Sequence, residues 1–109
     1  MLLLSVVEAL TSEVRVAHVG STVNLSCNTS DWKYISWEFS LILFDSWHDV
    51  YYYRNINDRL SSRYAASYNN LSINDVQLCD AGVYRCFFMS GDNLHTADIQ
   101  LTVRGKFTC

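Results

Sequence analysis

The sequence predicts an all-β chain, an antiparallel sandwich or barrel, on three observations. Apolar and polar residues alternate over short runs, clusters of Gly, Asn, Asp and Ser separate those runs, and no segment keeps a helical period beyond a turn. With 109 residues, half of them hydrophobic, the chain has room for one core, so the runs belong to a single domain spanning 1–109.

The opening "MLLLSVV" has no basic leader, and Glu8 cuts its apolar run short. Residues 1–12 are therefore either a first strand behind an initiator Met or the remnant of a trimmed signal peptide. "STVNLSC" then sets Val23, Leu25 and Cys27 on one face and Asn24, Ser26 and Asn28 on the other. "YISWEF" turns Ile35, Trp37 and Phe39 inward, with Ser36 and Glu38 outward. "NLSIND" buries Leu71 and Ile73, "VYRCFF" buries Tyr84, Cys86 and Phe88, and "ADIQLTV" buries Ile99, Leu101 and Val103. Turns are expected at Gly20–Ser21, Asn28–Asp31, Asn55–Asp58, Asp80–Gly82 and Ser90–Asn93.

Four cysteines in so short a chain suit an oxidising compartment. Zinc would want close C-x-x-C pairs, and Cys27, Cys79, Cys86 and Cys109 offer none. Three N-x-S/T sequons, at Asn24, Asn28 and Asn70, point the same way, and each asparagine falls on the outward phase of its run. A net charge of −3 and only eight scattered Lys and Arg exclude nucleic acid as the expected partner. No stretch is long enough to span a membrane, so any membrane anchor is expected outside this sequence.

Cys27, Trp37, Asp80, Gly82, Tyr84 and Cys86 together resemble the signature of the variable-type (V-set) immunoglobulin domain, over Val14 to Val103. The resemblance implies a Greek-key sandwich of two antiparallel sheets, joined by a Cys27–Cys86 disulfide packed on Trp37. Closing that loop would stabilise the fold by about 4 kcal/mol in the chain-entropy model. It implies that the Tyr84 hydroxyl bonds back to the upstream backbone and that Gly82 relieves a tight turn beside its ring. It also implies that Arg63, ahead of an aromatic, pairs with Asp80 in a structural contact. The 25 residues between Trp37 and Arg63 leave room for the two extra strands of a variable-type domain. Cys79 departs from the family pattern. It either bridges to Cys109, or residues 104–109 begin a stalk and one thiol or both stay free.

Catalysis is not expected. His18, His48 and His95 are scattered, no nucleophile elbow, H-E-x-x-H or phosphate loop is present, and Asp45, Asp49 and Asp92 read as solvated loop acids. No cofactor or metal is implied. The resemblance implies recognition of a protein partner, on another cell or in the same membrane, through the family's GFCC′ sheet. Candidates on that face are Glu38, Phe44, Trp47, Tyr51, Tyr53, Arg85, Phe87 and Met89, an aromatic- and Arg-rich set. The first strand is expected on the opposite sheet, the one carrying the sequons. "YYYRNINDRLSSRY" and "GVYRCFF" look most like butyrophilin and costimulatory-ligand domains, and the absence of F-G-x-G argues for a germline-encoded receptor or ligand. A homophilic adhesion module, which would form a homodimer, and a soluble decoy are the alternatives. In each case the domain would lie on the extracellular side of the plasma membrane or be secreted.

Overall fold

The computed structural model describes residues 13–27, 35–41, 48–52, 55–56, 62–67 and 69–106. Among these lie β1 (Glu13–His18), β2 (Val23–Ser26), β3 (Ser36–Leu41), β4 (His48–Tyr52) and β5 (Asn55–Ile56). They are followed by β6 (Tyr64–Ser67), β7 (Asn70–Ile73), a single 3-10 turn (Leu78–Asp80), β8 (Gly82–Ser90) and β9 (Asn93–Arg104). Two sheets result, one ordered β1-β9-β8-β3-β4-β5 and the other β2-β7-β6. The chain passes between the sheets at the joins β1/β2, β2/β3, β5/β6 and β7/β8, so each hydrophobic face closes on the other.

Alternation explains the core. Val23 and Leu25 of β2 and Leu71 and Ile73 of β7 face Trp37 of β3, Tyr84 and Cys86 of β8, and Ile99 and Leu101 of β9, all buried. Phe39, Phe88 and Val103 continue the same phases and pack at the margin of this cluster. The Cys27–Cys86 disulfide crosses the sandwich with its Cα atoms 6.0 Å apart, tying the end of β2 to the middle of β8. Trp37 is 1% exposed, and its Nε1 has no hydrogen-bond partner among the described residues. A buried donor left unmet costs about 1–3 kcal/mol. Packing of the large indole in the core has to offset that cost.

Three expectations are corrected. First, the larger sheet is mixed rather than purely antiparallel: β1 runs parallel to β9, with Glu13 opposite Ile99 and His18 opposite Arg104, while a strand among residues 1–12 lies outside the described residues. Strands from opposite parts of the chain need no tight hairpin, which leaves the parallel direction open to them. Ala17 turns into the core, while Val14 and Val16 stay exposed. Second, Asn55 does not open a turn but pairs with Tyr52 as part of β5. Third, Asp80 closes a 3-10 turn, and Gly82 is already the first residue of β8. The expected turn at Asn28–Asp31 lies outside the described residues.

The β8/β9 hairpin dominates the larger sheet. Gly91 and Asp92 form a two-residue loop between the paired Ser90 and Asn93. Gly91 has φ 63° and Asp92 is not among the positive-φ residues. Left-handed backbone at the first central position alone is the pattern of a type II′ turn, which suits the twist of the flanking strands. From this turn the register runs without a break to Gly82 opposite Leu101.

Candidate functional site

Two clusters of polar side chains stand out, one sealed between the sheets and one on the open face of the larger sheet. The sealed cluster gathers on Asp80. Arg63, just ahead of β6, donates from Nη1 to Oδ2 at 2.7 Å and from Nη2 to Oδ1 at 3.1 Å. The Tyr64 hydroxyl donates to Oδ1 at 2.6 Å, and the Gln77 backbone N–H donates to Oδ2 at 2.7 Å. The Tyr84 hydroxyl donates to the Asp80 backbone carbonyl at 2.7 Å and lies 3.2 Å from the Tyr64 hydroxyl. Arg63 also donates to the carbonyls of Asn74 and Asp75, at 3.3 and 3.0 Å.

The Asp80 side chain is 4% exposed and that of Arg63 23%. Burial pushes the carboxyl pKa up. Hydrogen bonds from Arg63, Tyr64 and the Gln77 amide outweigh burial and hold it below the usual carboxylate value. The hydrogen bond to Asp80 raises the Arg63 pKa, and burial raises those of both tyrosines, so the hydroxyls stay protonated and serve as donors. Four hydrogen bonds to the carboxylate leave it little capacity for a substrate. This cluster is a clasp between β6 and the turn before β8.

The open face is set by the register of β8. Arg85 lies between Glu38 of β3 and Asp98 of β9, and Phe87 lies between Ser36 and Thr96. Met89 stands opposite Leu94. Arg85 donates from Nε to Asp98 Oδ1 at 2.6 Å and from Nη2 to Oδ2 at 3.0 Å, with the two side chains 32% and 27% exposed. Phe87 and Met89 are half-buried, and Leu94 is 63% exposed. On the inward phase of the same hairpin, Phe88 stacks on His95 with ring centroids 5.4 Å apart. The outward side of the hairpin is therefore a bidentate ion pair with an apolar stretch leading to its tip.

Of the expected face, the structure brings Glu38, Arg85 and Phe87 onto adjacent strands, with Met89 further along β8. Tyr51 pairs with Trp37 in register, and it is Asp49 that stands opposite Glu38 after an irregularity between Trp37 and Glu38. Phe44, Trp47 and Tyr53 lie outside the described residues. On the smaller sheet, Asn24 is exposed on β2 and Asn70 half-buried on β7. Ser72 stands opposite Asn24, and its hydroxyl donates to the Asn24 side-chain carbonyl. Asn28 lies outside the described residues. Cys79 is disulfide-bonded, and Cys109 lies outside the described residues.

Three participants escape the sequence-based reading: Tyr64, Asp98 and Leu94. Asp98 and Leu94 had a usable signal, because counting equal steps outward from Gly91–Asp92 places them opposite Arg85 and Met89. Tyr64 had only its place directly after Arg63.

No protein-family model matches the sequence, and none of the curated proteins does. Solved structures do resemble it. The crystal structure of the N-terminal four Ig domains of Dscam1 isoform 6.9 superposes with a TM-score of 0.67 at 18% identity. Those of isoforms 4.44 and 7.44 superpose at 0.68 and 19%. Each match covers 85% of this chain and 22% of the Dscam1 chain, so this chain spans about a fifth of those structures. With two packed sheets and the Cys27–Cys86 bridge between them, the likeness makes this chain an all-β sandwich of the immunoglobulin fold.

Proposed function

We propose that this chain is a non-catalytic recognition domain of the variable type, which binds a protein partner through the outward face of the larger sheet. The observation that carries the reading is the Arg85–Asp98 pair at the centre of that face, with Phe87, Met89 and Leu94 leading from it to the hairpin tip. Arginine and aromatic side chains are enriched among the residues that carry interface energy, because rigid rings give large contact area for few frozen torsions and the guanidinium gives directed hydrogen bonds. The variable-type assignment is supported by β4 and β5, which extend the sheet beyond β3 where a constant-type domain has no strands. The disulfide supports an extracellular place, at the cell surface or secreted. A germline-encoded receptor or ligand of the immune type is the narrower reading.

Glycans on Asn24 and Asn70 would cover the outer face of the smaller sheet and leave the larger one open. Cys79 bridging to Cys109 would fix the end of the chain near the 3-10 turn. Thiol titration of the denatured, unreduced chain should then find no free cysteine.

The test is a binding screen of the purified domain against cell-surface ectodomains, itself included, followed by substitution on both sheets. Phe87→Ala should weaken binding about thirtyfold, the loss typical of an interface hot spot, with the unfolding midpoint little changed. Losses confined to the surroundings of Asn24 and Asn70, with Phe87 spared, would overturn the reading.

A further inference from the structure

Resting on the extracellular reading and narrowing its two glycans to one, we infer that Asn24 and Asn70 form a single shared N-glycan site, with the sugar on Asn24 and Asn70 left bare. The register of β2 and β7 carries the inference. Asn24 stands opposite Ser72 and Ser26 opposite Asn70, so each sequon asparagine faces the serine of the other sequon. Leu25 and Leu71, the middle residues of the two sequons, pair between them and are buried in the core. Two tripeptides far apart in the chain thus close into one square on the outer face of the smaller sheet. Across β7 its rows continue to Ala65 and Ser67 of β6. These six outward residues include no charge and no large side chain, which leaves a flat polar bed.

Glycan transfer joins the asparagine Nδ2 to the anomeric carbon of a lipid-pyrophosphate-linked oligosaccharide. The bond from that carbon to the pyrophosphate oxygen breaks, and Nδ2 gives up one proton. The carboxamide carbonyl survives as an acceptor, so the hydrogen bond from the Ser72 hydroxyl to Asn24 persists in the product. A planar trans amide sets the sugar carbon on the same side as the carbonyl oxygen. That oxygen is held by Ser72 on β7, so the first sugar leaves Asn24 leaning over the central strand. It leans toward the place where Asn70, half-buried between Ser26 and Ser67, would raise its own sugar. Diagonal neighbours on adjacent strands keep their β-carbons about 7 Å apart, little more than the width of one sugar ring. Asn24 holds the better corner, because it is exposed and β2 is the outer strand of the three among the described residues. A second glycan must crowd the first when β2 closes on β7.

The experiment secretes the full chain from eukaryotic cells behind a cleavable leader, with N28Q to silence the third sequon, and reads intact mass. Nearly every folded chain should carry one glycan, which peptide mapping should place on Asn24. Adding N70Q should leave that glycan in place, adding N24Q should move it to Asn70, and adding both should remove it. Two glycans on most chains, a glycan on Asn70 in preference to Asn24, or an N24Q chain left bare would each overturn the shared site. The aiming of the sugar has its own readout. S72A and N70Q both silence the Asn70 sequon, and only S72A removes the hydroxyl that holds the Asn24 carbonyl. A peptide N-glycosidase should release the sugar from folded S72A faster than from folded N70Q, and at equal rates from the denatured chains. Equal rates in the folded chains, or the same difference after denaturation, would overturn the aiming over β7. Chains with two glycans whose partner binding still falls with Phe87→Ala would overturn the shared site and spare the recognition face. A single glycan on Asn24 in a chain with no Phe87-dependent binding would support the shared site and overturn that face.

Discussion

Arg63–Asp80 and Arg85–Asp98 are both two-point pairs of arginine and aspartate with heavy atoms between 2.6 and 3.1 Å apart, and their surroundings are opposite. Asp80 is 4% exposed and also receives the Tyr64 hydroxyl and the Gln77 amide. Arg85 and Asp98 lie on an open sheet, each about a third or a quarter exposed. Removing Arg63 from the first pair leaves the Asp80 charge where water has little access. Removing one partner of the second leaves a charge that water reaches. The same two side chains are thus a clasp in one place and a solvent-facing pair on an open sheet in the other. Burial, not bond geometry, separates the roles.

The largest expected effect comes from breaking the sealed pair. Arg63→Ala strips two charge-assisted bonds from Asp80 and leaves the bonds from Tyr64 and Gln77, so a loss of about 2–4 kcal/mol is expected in chemical denaturation. A midpoint within experimental error of the parent would show that Asp80 is rehydrated in the folded state. The acid limb of stability probes the same site. Because the folded Asp80 pKa is lowered, the folded state binds fewer protons than the unfolded chain in acid. The stabilisation is fully present above the ordinary Asp value of about 3.9 and is lost as pH falls through the folded pKa. Asp80→Asn should therefore lower stability at neutral pH and flatten its fall below about pH 4, as read from denaturation midpoints across pH.

How much of this was legible in the sequence depends on whether the signal is local. Cys27, Trp37, Tyr84 and Cys86 fall on period-two phases that can be read within single runs, and all four lie in the core. Arg63 and Asp80 stand beside recognisable neighbours, the aromatic Tyr64 and the "DAGVY" stretch. The parallel pairing of β1 with β9 has no such trace, since it joins residues about 86 positions apart and β1 looks alike whichever sheet it joins. The outward face falls between these cases. Period two places Arg85, Phe87 and Met89 on one side, but finding Asp98 and Leu94 requires trusting the Gly91–Asp92 loop to set a continuous register.

Smaller effects grade the two tyrosines of the clasp. Tyr64→Phe removes a hydroxyl from an ionised carboxylate and should cost about 1.5–3 kcal/mol, while Tyr84→Phe removes one from a neutral carbonyl and should cost about 1 kcal/mol. Both keep the ring and its packing, so denaturation midpoints report the hydroxyl alone. Equal losses would mean that the 3.2 Å contact between the hydroxyls couples them into one unit, and the double variant would then lose less than the two single losses combined.

The smallest effect on stability is expected at Arg85, and its smallness is what separates the regions. Arg85→Ala leaves Asp98 on a face open to water, so no buried charge is stranded. Exposed pairs contribute about 0.2–1 kcal/mol, and good two-point geometry places this one toward the upper end of that range. A double-mutant cycle with Asp98→Ala should return a coupling below about 1 kcal/mol that shrinks as salt is raised, because ions screen charges that solvent can reach. The corresponding cycle on Arg63 and Asp80 should give a larger coupling with little salt dependence. A large, salt-insensitive coupling at Arg85 would mean that the pair holds β8 to β9 as firmly as Arg63 holds the turn before β8. The outward face would then be part of the scaffold rather than a surface left over for a partner.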